Sequence, residues 1–383
     1  MTPGWIDPLG SAEVADWDAD GLVISGSRAR PSFGWDLTLR LQPGAPAFRL
    51  RVAPQPFVPP VEYPGGHDPA VALHRMLHVR TADGAWRPLA ARQEGRDAVA
   101  VVSSGMRAVA LGLPWMADDH EALIAWCRGR SELDVVDRGA AVHGARLVGV
   151  RTGARPGDAG YRGSLLIIAG QHHGEWAGMR IAAALLRWLV GTAAGASARR
   201  RFAWHVVPCA NPDPLAGPGL DHPDNLTRDW GAWSRPEARA IRDLWLEASG
   251  RGEHLLHALD LHMGWSSPED DGACITTYAT DTRLDRWIAA QARMARALQI
   301  AGRMPQRLWQ VDRPENTSFS DWCGGAWGAH AQTIEISRLA WPDGKGGWTR
   351  PSTAREAAVG PAIGRVLSAW DWDDEPLAGP LHP

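Results

Sequence analysis

The chain has 383 residues, of which 45% are hydrophobic and 22% are charged, and its formal net charge is −3. This length permits two domains, and the apolar fraction is sufficient to build a large core. A net charge so close to zero provides no strongly basic surface, so nucleic acid is not expected to be the main partner.

Three features of the sequence predict a soluble, cytoplasmic protein. The first 18 residues are acidic and lack the apolar stretch of a secretory signal. The longest apolar helical run, residues 181–190, is too short to cross a bilayer and contains Arg187. The four cysteines are widely separated and form no CxxC motif, which is typical of reduced thiols in the cytosol. No membrane partner is therefore expected.

The first 112 residues contain strand patterns in which apolar residues recur at every second position. These segments lie at 35–42, 47–53 and 75–81, and stretches rich in proline and glycine separate them. The alternation is typical of antiparallel sheets with one buried face and one face in water. We therefore predict an all-β, antiparallel domain over residues 1–112.

Near residue 113 the pattern changes to strands and helices that alternate. The predicted helices and apolar strands are the following: helices at 118–130, 175–190 and 235–249, and strands at 164–170, 202–210, 257–262 and 331–337. Such alternation indicates a mostly parallel sheet covered by helices on both faces. We predict a doubly wound α/β domain over residues 113–372, followed by a loose tail at 373–383.

Polar side chains stand at or near the ends of three of these strands. His172 and Glu175 follow the first strand, His262 closes the third, and Glu335 lies in the last. Open α/β sheets bind ligands at the carboxyl ends of their strands, so these side chains can meet. The HxxE spacing lets an imidazole and a carboxylate point at one ion. Two histidines and a glutamate, with water in the fourth position, form a recurring catalytic zinc set.

A zinc hydrolase also needs a group that takes the proton of the attacking water and passes it to the leaving amine. Glu335, within the apolar segment TIEIS, is the candidate, because burying a carboxylate without a role or a partner is costly. Structural alternatives stay open for each residue. The HxxE motif can be a solvated helix start, His262 a core histidine, and Glu335 the partner of Arg338 in an ion pair.

Taken together, five motifs resemble the M14 zinc carboxypeptidases, and most closely their cytosolic carboxypeptidase-like branch. Their order and approximate spacing agree over about residues 115–345. The matching segments are His172-His173-Gly174-Glu175 for HPGE, Asn211-Pro212-Asp213-Pro214 for NPDG, Thr227-Arg228-Asp229-Trp230 for an Asn-Arg pair followed by Trp, Asp260-Leu261-His262 for DLH, and TIEIS for the late strand that carries the general base.

The resemblance implies a function and a set of roles. One zinc ion per chain would be bound by His172, Glu175 and His262, and Glu335 would be the general base. Arg228 would hold the substrate carboxylate or steady the oxyanion, since a guanidinium fork fits carboxylate geometry. The reaction would be hydrolysis of a C-terminal peptide or peptide-like amide bond. The branch also carries a β-sandwich in front of the peptidase domain, which is the arrangement expected here.

The two adjacent histidines differ in their register to Glu175. Only His172 stands three residues before it, whereas His173 fills a middle position where the relatives carry residues that do not bind metal. We therefore expect His173 to be a loop residue outside the zinc ligand set.

The chain also departs from the family pattern. Thr227 replaces the asparagine that normally precedes the arginine, so fewer side-chain hydrogen bonds are offered to a terminal carboxylate of the substrate. The family's second arginine and its substrate-binding tyrosine have no evident match. We expect Arg313 to take part in substrate contact. Trp265 and Trp322 are candidates for lining an aromatic pocket, and the alternative is ordinary packing in a chain with 21 tryptophans.

Two other functions stay open at this stage. One is a zinc amidohydrolase that removes acyl groups from amino acids, as the desuccinylase and aspartoacylase relatives do, although those relatives lack the N-terminal β domain. The other is a binding protein that has kept the fold with weakened chemistry. The sequence predicts neither the identity of the substrate nor the oligomeric state.

Overall fold

The structure is a computed structural model. It describes residues 3–10, 12–18, 21–26, 37–53, 77–95, 97–172, 174–216, 226–264, 274–277, 292–294, 296–298, 300–301, 308–310, 318–337, 341–342, 348–349 and 352–372.

The N-terminal region is built from ten strands. In chain order they are β1 (Ile6–Gly10), β2 (Ala12–Asp18), β3 (Gly21–Gly26), β4 (Leu37–Leu41), β5 (Phe48–Ala53), β6 (Leu77–Arg80), β7 (Trp86–Pro88), β8 (Ala91–Glu94), β9 (Asp97–Val102) and β10 (Ala108–Leu111). The three strands predicted from alternation correspond to β4, β5 and β6. In β5 the alternation is direct, since Phe48, Leu50 and Val52 are buried and the residues between them are partly exposed.

These strands form two five-stranded sheets that share one core. Their orders are β1-β4-β10-β6-β7 and β2-β3-β5-β9-β8. Leu39 and Val109 from the first sheet pack in the same cluster as Leu22 and Leu50 from the second. The pairs are antiparallel, as the sequence predicts, except for β3 with β5, which is parallel. The region is therefore a mostly antiparallel β-sandwich.

The remainder of the described chain alternates helices and strands. Its elements are α1 (Ala117–Arg128), β11 (Asp134–Ala140), β12 (Arg146–Gly153), β13 (Gly163–Ala169), α2 (Trp176–Gly191), α3 (Ala193–Arg201), β14 (Phe202–Val207), α4 (Asp213–Ala216), a 3-10 turn (Leu226–Arg228), α5 (Pro236–Gly250), β15 (Leu255–Gly264), β16 (Cys274–Thr277), β17 (Leu308–Gln310), α6 (Phe319–Trp327), β18 (His330–Ser337), β19 (Trp341–Pro342), β20 (Trp348–Thr349) and α7 (Thr353–Ala369).

Eight of these strands form one mixed sheet in the order β11-β12-β14-β13-β15-β18-β16-β17. The four central strands, from β14 to β18, run parallel to one another. Antiparallel pairs join β11 to β12, β12 to β14, and β18 to β16. The predicted mixture of an antiparallel N-terminal region and a mostly parallel α/β region is confirmed.

Helices cover the central sheet on both faces, and β13 shows why. All seven of its residues are buried. Leu165 and Ile167 pack in one cluster with α2 and α7, whereas Leu166 and Ile168 pack in a second cluster with α5 and α6. A strand buried on both faces reads as a continuous apolar run instead of an alternating one, which is how SLLIIA reads in the sequence.

Two predicted strand boundaries differ from the structure for identifiable reasons. The strand predicted at 257–262 extends to Gly264, because its ladder with β18 continues to the pair Gly264–Ser337. The strand predicted at 202–210 ends at Val207. Beyond it, the amides of Ala210 and Asn211 donate to the carbonyls of Ala169 and Gly170, which carries the chain across the end of β13.

Among the described helices, none alone has the length and apolar character needed to cross a membrane, although α2 and α3, bent by 93° at their junction, meet that test together.

Candidate metal centre

The candidate site lies at the carboxyl ends of the parallel strands. Gln171 and His172 follow β13, and β15 carries His262 two residues before its end. Glu335 lies on β18, directly beside His262 in the parallel ladder. Residues paired in register point to the same side of a sheet, so the strand pairing brings a histidine and a carboxylate together without help from a loop.

The turn between β13 and α2 brings His172 and Glu175 onto one point. Gly174 has a φ of 83°, a left-handed conformation that residues with a Cβ rarely adopt. Glu175 is the residue before α2, and its side chain forms no capping bond to the helix. The carboxylate is instead directed toward the two histidines. Gly178 then lets α2 approach β15, because a Cβ there would collide with the carbonyl oxygen of Leu261.

Two imidazoles face the Glu175 carboxylate through the same kind of ring atom. His172 Nδ1 lies 2.9 Å from Glu175 Oε1, and His262 Nδ1 lies 2.8 Å from Glu175 Oε2. One potential ligand atom from each of the three residues lies within 4.8 Å of the others. The rings of His172 and His262 cross edge to face with centroids 4.9 Å apart. Three ligand atoms so close together fit a single tetrahedral zinc with one open position.

The hydrogen bonding of this group supports a cation site. Within the described chain, Glu175 Oε2 is buried without a hydrogen-bond partner, despite its short distance to His262 Nδ1. Burial alone would raise the pKa of Glu175, but His262 and His172 outweigh it, and the pKa is lowered. Burial would lower the pKa of His262, yet the Asp260 and Glu175 carboxylates raise it well above 6.5. The carboxylates thus favour a positive charge at the position between Glu175 and His262.

The outer nitrogens of both histidines face oxygen atoms. His262 Nε2 lies 2.8 Å from Asp260 Oδ2, and His172 Nε2 lies 3.4 Å from the hydroxyl of Thr227. A hydrogen on each Nε2 leaves each Nδ1 lone pair free to bind a metal. Metal-binding histidines commonly donate their second N–H to a carboxylate in this way, which fixes ring orientation and tautomer.

Glu335 is a partly buried carboxyl group beside His262 in the strand ladder. Burial raises the pKa of Glu335 to about 7, the Glu175 and Asp260 carboxylates add to the rise, and His262 and His172 oppose it. A carboxyl group that titrates near neutral pH can accept a proton and then return it.

The buried polar residues around the ligands hold the turns that carry them. Asn211 donates to the carbonyl of Gln171, at 3.2 Å, and so fixes the chain immediately before His172. The Asp213 carboxylate accepts from the amides of His143 and Ala145, which ties the β11–β12 hairpin to the same edge. The NPDP segment therefore supports the turn that carries the first ligand.

A family comparison agrees with this geometry. Residues 129–230 match the sequence model of the Peptidase_M14 family, described as zinc carboxypeptidase. This match supports a hydrolase of the zinc carboxypeptidase type. Members of this family use one zinc ion, and His172, Glu175 and His262 form a group able to bind it. The matched range contains His172 and Glu175, whereas His262 and Glu335 lie beyond it and join the site through the fold.

Solved structures with a similar fold include several bacterial proteins. A metallo-carboxypeptidase from Burkholderia cenocepacia has a TM-score of 0.71 at 18% identity, covering 94% of this chain and 97% of that chain. A carboxypeptidase A named as putative, from Shewanella denitrificans OS-217, has a TM-score of 0.70 at 17% identity, with 95% of each chain covered.

A metallo-carboxypeptidase from Pseudomonas aeruginosa, solved in complex with (2-guanidinoethylmercapto)succinic acid, has a TM-score of 0.68 at 17% identity. It covers 94% of this chain, and 96% of its own chain is covered. At these identities the likeness concerns the fold, and its coverage includes the N-terminal sheets as well as the α/β region. No protein of curated function matches the sequence at a significant level.

The predicted substrate-contact residues have different positions in the structure. Arg228 is exposed at the end of the 3-10 turn, and Thr227 beside it is buried against His172. Trp322 is partly buried and stacks on Trp230, with ring centroids 5.8 Å apart. The roles assigned to Arg313 and Trp265, and the prediction for His173, concern positions outside the described residues.

Sequence reasoning missed the residues behind His262. Gln171, Asp260 and Trp230 form a buried hydrogen-bonded series that ends on its Nε2 atom. Asp260 stands within the DLH motif, and its two-residue spacing to His262 on one strand was the available signal, because such residues point to the same face. No comparable signal exists for Gln171 and Trp230, which are 59 residues apart in sequence.

Proposed function

We propose that the chain is a zinc metallocarboxypeptidase in which Glu335 is the general base. The observation that carries the proposal is the backbone register of β15 and β18, which sets Glu335 beside His262 at the edge where His172 and Glu175 converge. Bound at these three ligands, zinc would lower the pKa of a water molecule and polarise the substrate carbonyl.

The Glu335 carboxylate would take a proton from the attacking water and then deliver it to the nitrogen of the leaving amine. This exchange leaves Glu335 in its starting state after each cycle. Both transfers require a group whose pKa is close to the working pH, and burial raises the pKa of Glu335 to about 7. The Asp260 carboxylate would hold His262 in the orientation that directs Nδ1 to the metal.

Arg228 would bind the terminal carboxylate of the substrate. It follows Thr227, whose hydroxyl contacts His172, so its backbone lies next to the metal centre. Its side chain is exposed, and no ion pair within the described part of the chain joins it to the neighbouring Asp229. The Asp229 carboxylate instead accepts from the amides of Ser234 and Arg235 at the start of α5.

The decisive test of the mechanism is Glu335→Gln, which keeps the size of the side chain and removes the base. We expect kcat/KM on the best substrate to fall by about 10²- to 10⁴-fold with zinc content unchanged. Glu247→Gln is the matched control, because Glu247 is an exposed residue of α5 that pairs with Arg138 away from the site. Wild-type activity in Glu335→Gln would refute the proposed role.

The substrate class needs a separate panel of peptides with acidic, basic and aromatic C-termini, assayed beside N-acyl amino acids. Cleavage of the terminal residue from peptides supports the carboxypeptidase. Cleavage of N-acyl amino acids alone would support the deacylase alternative. Arg228→Lys should raise KM for peptides with a free C-terminus by about tenfold or more, since an ammonium cannot reproduce a bidentate guanidinium pair. A C-terminally amidated peptide should be insensitive to that change.

A further inference from the structure

An indole nitrogen in the aromatic core is connected to the zinc ligand His262 through the side chain of Gln171. Gln171 is 1% exposed and lies between the two. Its Oε1 atom is 2.8 Å from Trp230 Nε1, and its Nε2 atom is 2.5 Å from Asp260 Oδ2. Asp260 Oδ2 in turn lies 2.8 Å from His262 Nε2. The series contains four side chains and three hydrogen bonds.

The chemistry of the four groups allows one arrangement of hydrogens. The indole N–H can only donate, so the Gln171 atom that faces Trp230 must be the amide oxygen. The NH₂ group of Gln171 then has to face Asp260, whose carboxylate can only accept. Both neighbours therefore impose the same direction on the amide, because the indole needs an acceptor and the Asp260 carboxylate needs a donor.

The same reasoning fixes the proton on His262. Asp260 Oδ2 accepts from Gln171, and the His262 Nε2 atom facing the same oxygen donates to it as N–H. The two donor nitrogens lie 3.3 Å apart because they share this acceptor. With Nε2 protonated, Nδ1 is the atom that offers a lone pair toward Glu175 and the metal.

Contacts with neighbouring residues hold the first two members of the series, Trp230 and Gln171, in place. Trp230 is 1% exposed, stacks on Trp322 and meets the edge of Phe319, with ring centroids 5.0 Å apart in the second contact. The carbonyl of Gln171 accepts from Asn211, which fixes the backbone beside the amide. Neither Trp230 nor Gln171 can turn away without disturbing this cluster, so the direction of the hydrogen bonds is maintained.

We propose that Trp230 and Gln171 are positioning residues that set the zinc affinity of the site by holding Asp260 and the tautomer of His262. The inference rests on the proposed zinc-binding role of His262. It assigns a task to the buried indole that is separate from packing. The aromatic cluster on one face of the sheet is thereby connected to the metal centre at its carboxyl edge.

The test is the dissociation constant for zinc, measured by competition with a chelator of known affinity. Trp230→Phe removes the N–H and keeps an aromatic ring. Gln171→Met keeps the length of the side chain and removes both polar atoms. We expect each variant to bind zinc about 10- to 100-fold more weakly, the range found when outer-sphere partners of metal-binding histidines are removed.

Trp245→Phe is the matched control for the loss of indole packing. Trp245 is fully buried like Trp230 and makes edge-to-face contacts with His205 and Trp327. In the described part of the chain, however, its Nε1 atom has no hydrogen-bond partner. We expect this variant to bind zinc within about twofold of wild type, because no N–H contact is lost.

A double variant separates positioning from general loosening of the core. If the indole acts through the amide, Trp230→Phe adds no further loss of zinc affinity to Gln171→Met. If the two losses multiply, or if Trp230→Phe binds zinc as tightly as Trp245→Phe, the proposal is wrong. A second readout is the His262 Nε2–H proton in the zinc-loaded protein, which should exchange with water faster in Gln171→Met.

These measurements do not depend on catalysis. Failure of Glu335→Gln to impair hydrolysis would overturn the proposed mechanism and leave the zinc affinities interpretable. Equal zinc binding in wild type and Trp230→Phe would overturn the positioning role and leave the mechanism untouched.

Discussion

Two buried carboxylates at opposite ends of the central sheet illustrate what separates a metal site from a structural network. Glu253 precedes β15, towards the amino ends of the parallel strands. Its Oε1 atom accepts from Arg151 and Arg251, and its Oε2 atom accepts from Ser164 and His205. Each oxygen of Glu253 thus accepts two hydrogen bonds, so the carboxylate is satisfied by groups of the protein itself.

Glu175, at the carboxyl ends, has the same side chain and comparable burial. It faces two imidazoles, and one of its oxygens makes no hydrogen bond within the described chain. The pKa of both carboxyl groups is lowered, and that of Glu253 is about 2. The pKa shifts therefore do not distinguish the two sites. The distinction lies in whether donors already saturate the oxygens, because an unsaturated buried carboxylate needs a cation.

The largest effect that tests this contrast is expected for the first ligand. His172→Ala should lose bound zinc and reduce kcat/KM by about 1,000-fold or more, because several kcal/mol of metal stabilisation disappear. His173→Ala, its neighbour in sequence, should keep zinc. Metal content by mass spectrometry and peptide hydrolysis check both variants. If His173→Ala lost zinc and His172→Ala kept it, His173 would be the ligand and the assignment from the HxxE spacing would be wrong.

The second prediction concerns stabilisation by the metal. Zinc at about 1,000 times its dissociation constant should raise the free energy of unfolding by about 4 kcal/mol over the chelated protein. Glu175→Gln should abolish this difference and Glu253→Gln should retain it. Denaturant unfolding with and without chelator gives the result. If zinc stabilised both variants equally, Glu175 would not be the carboxylate that binds the metal.

The third prediction concerns the fold without metal. Glu253→Gln should lower the free energy of unfolding by about 3 kcal/mol, because it leaves buried donors without their charged partner. The comparison is Glu247→Gln, which breaks a more exposed pair with Arg138 and should cost less than about 1 kcal/mol. Denaturation of the chelated proteins provides the measurement. Equal costs would show that the Glu253 network is dispensable.

The fourth prediction concerns the pH dependence of the Glu253 contribution. Burial alone would raise the pKa of Glu253 above its ordinary value of 4.5, but His205, the Ser164 hydroxyl and the charge of Arg151 together lower it to about 2. Its contribution is therefore full above pH 4.5 and is lost as pH falls toward 2. The difference in unfolding free energy between wild type and Glu253→Gln should shrink by about 1.4 kcal/mol per pH unit in that window. A constant difference between pH 5 and pH 3 would contradict this.

Much of the fold could be predicted from local patterns. The continuous apolar run SLLIIA predicts a strand that is covered on both faces. The alternation at Phe48, Leu50 and Val52 predicts a strand with a single buried face. The parallel pairing of β3 with β5 could not be predicted, because alternation indicates which face is buried and carries no information about the partner strand.

The convergence of His172, Glu175 and His262 could be predicted because these residues occupy strand ends and the start of a helix, where spacing in sequence determines spacing in space. The series through Trp230 and Gln171 could not be predicted in this way. Its members meet only after the 3-10 turn has packed against the sheet, and the donor and acceptor roles emerge from that contact. Hydrogen-bond direction is a property of the assembled core.

The pairing of His262 with Glu335 across β15 and β18 has a consequence for how the protein can change. Their separation is set by the ladder spacing of two neighbouring strands and not by the length of the chain that connects them. A deletion of one residue inside β18 before Glu335 would instead turn that carboxylate to the opposite face of the sheet. The relative position of His262 and Glu335 is therefore a property of the two strands, and it is sensitive to insertions or deletions within them.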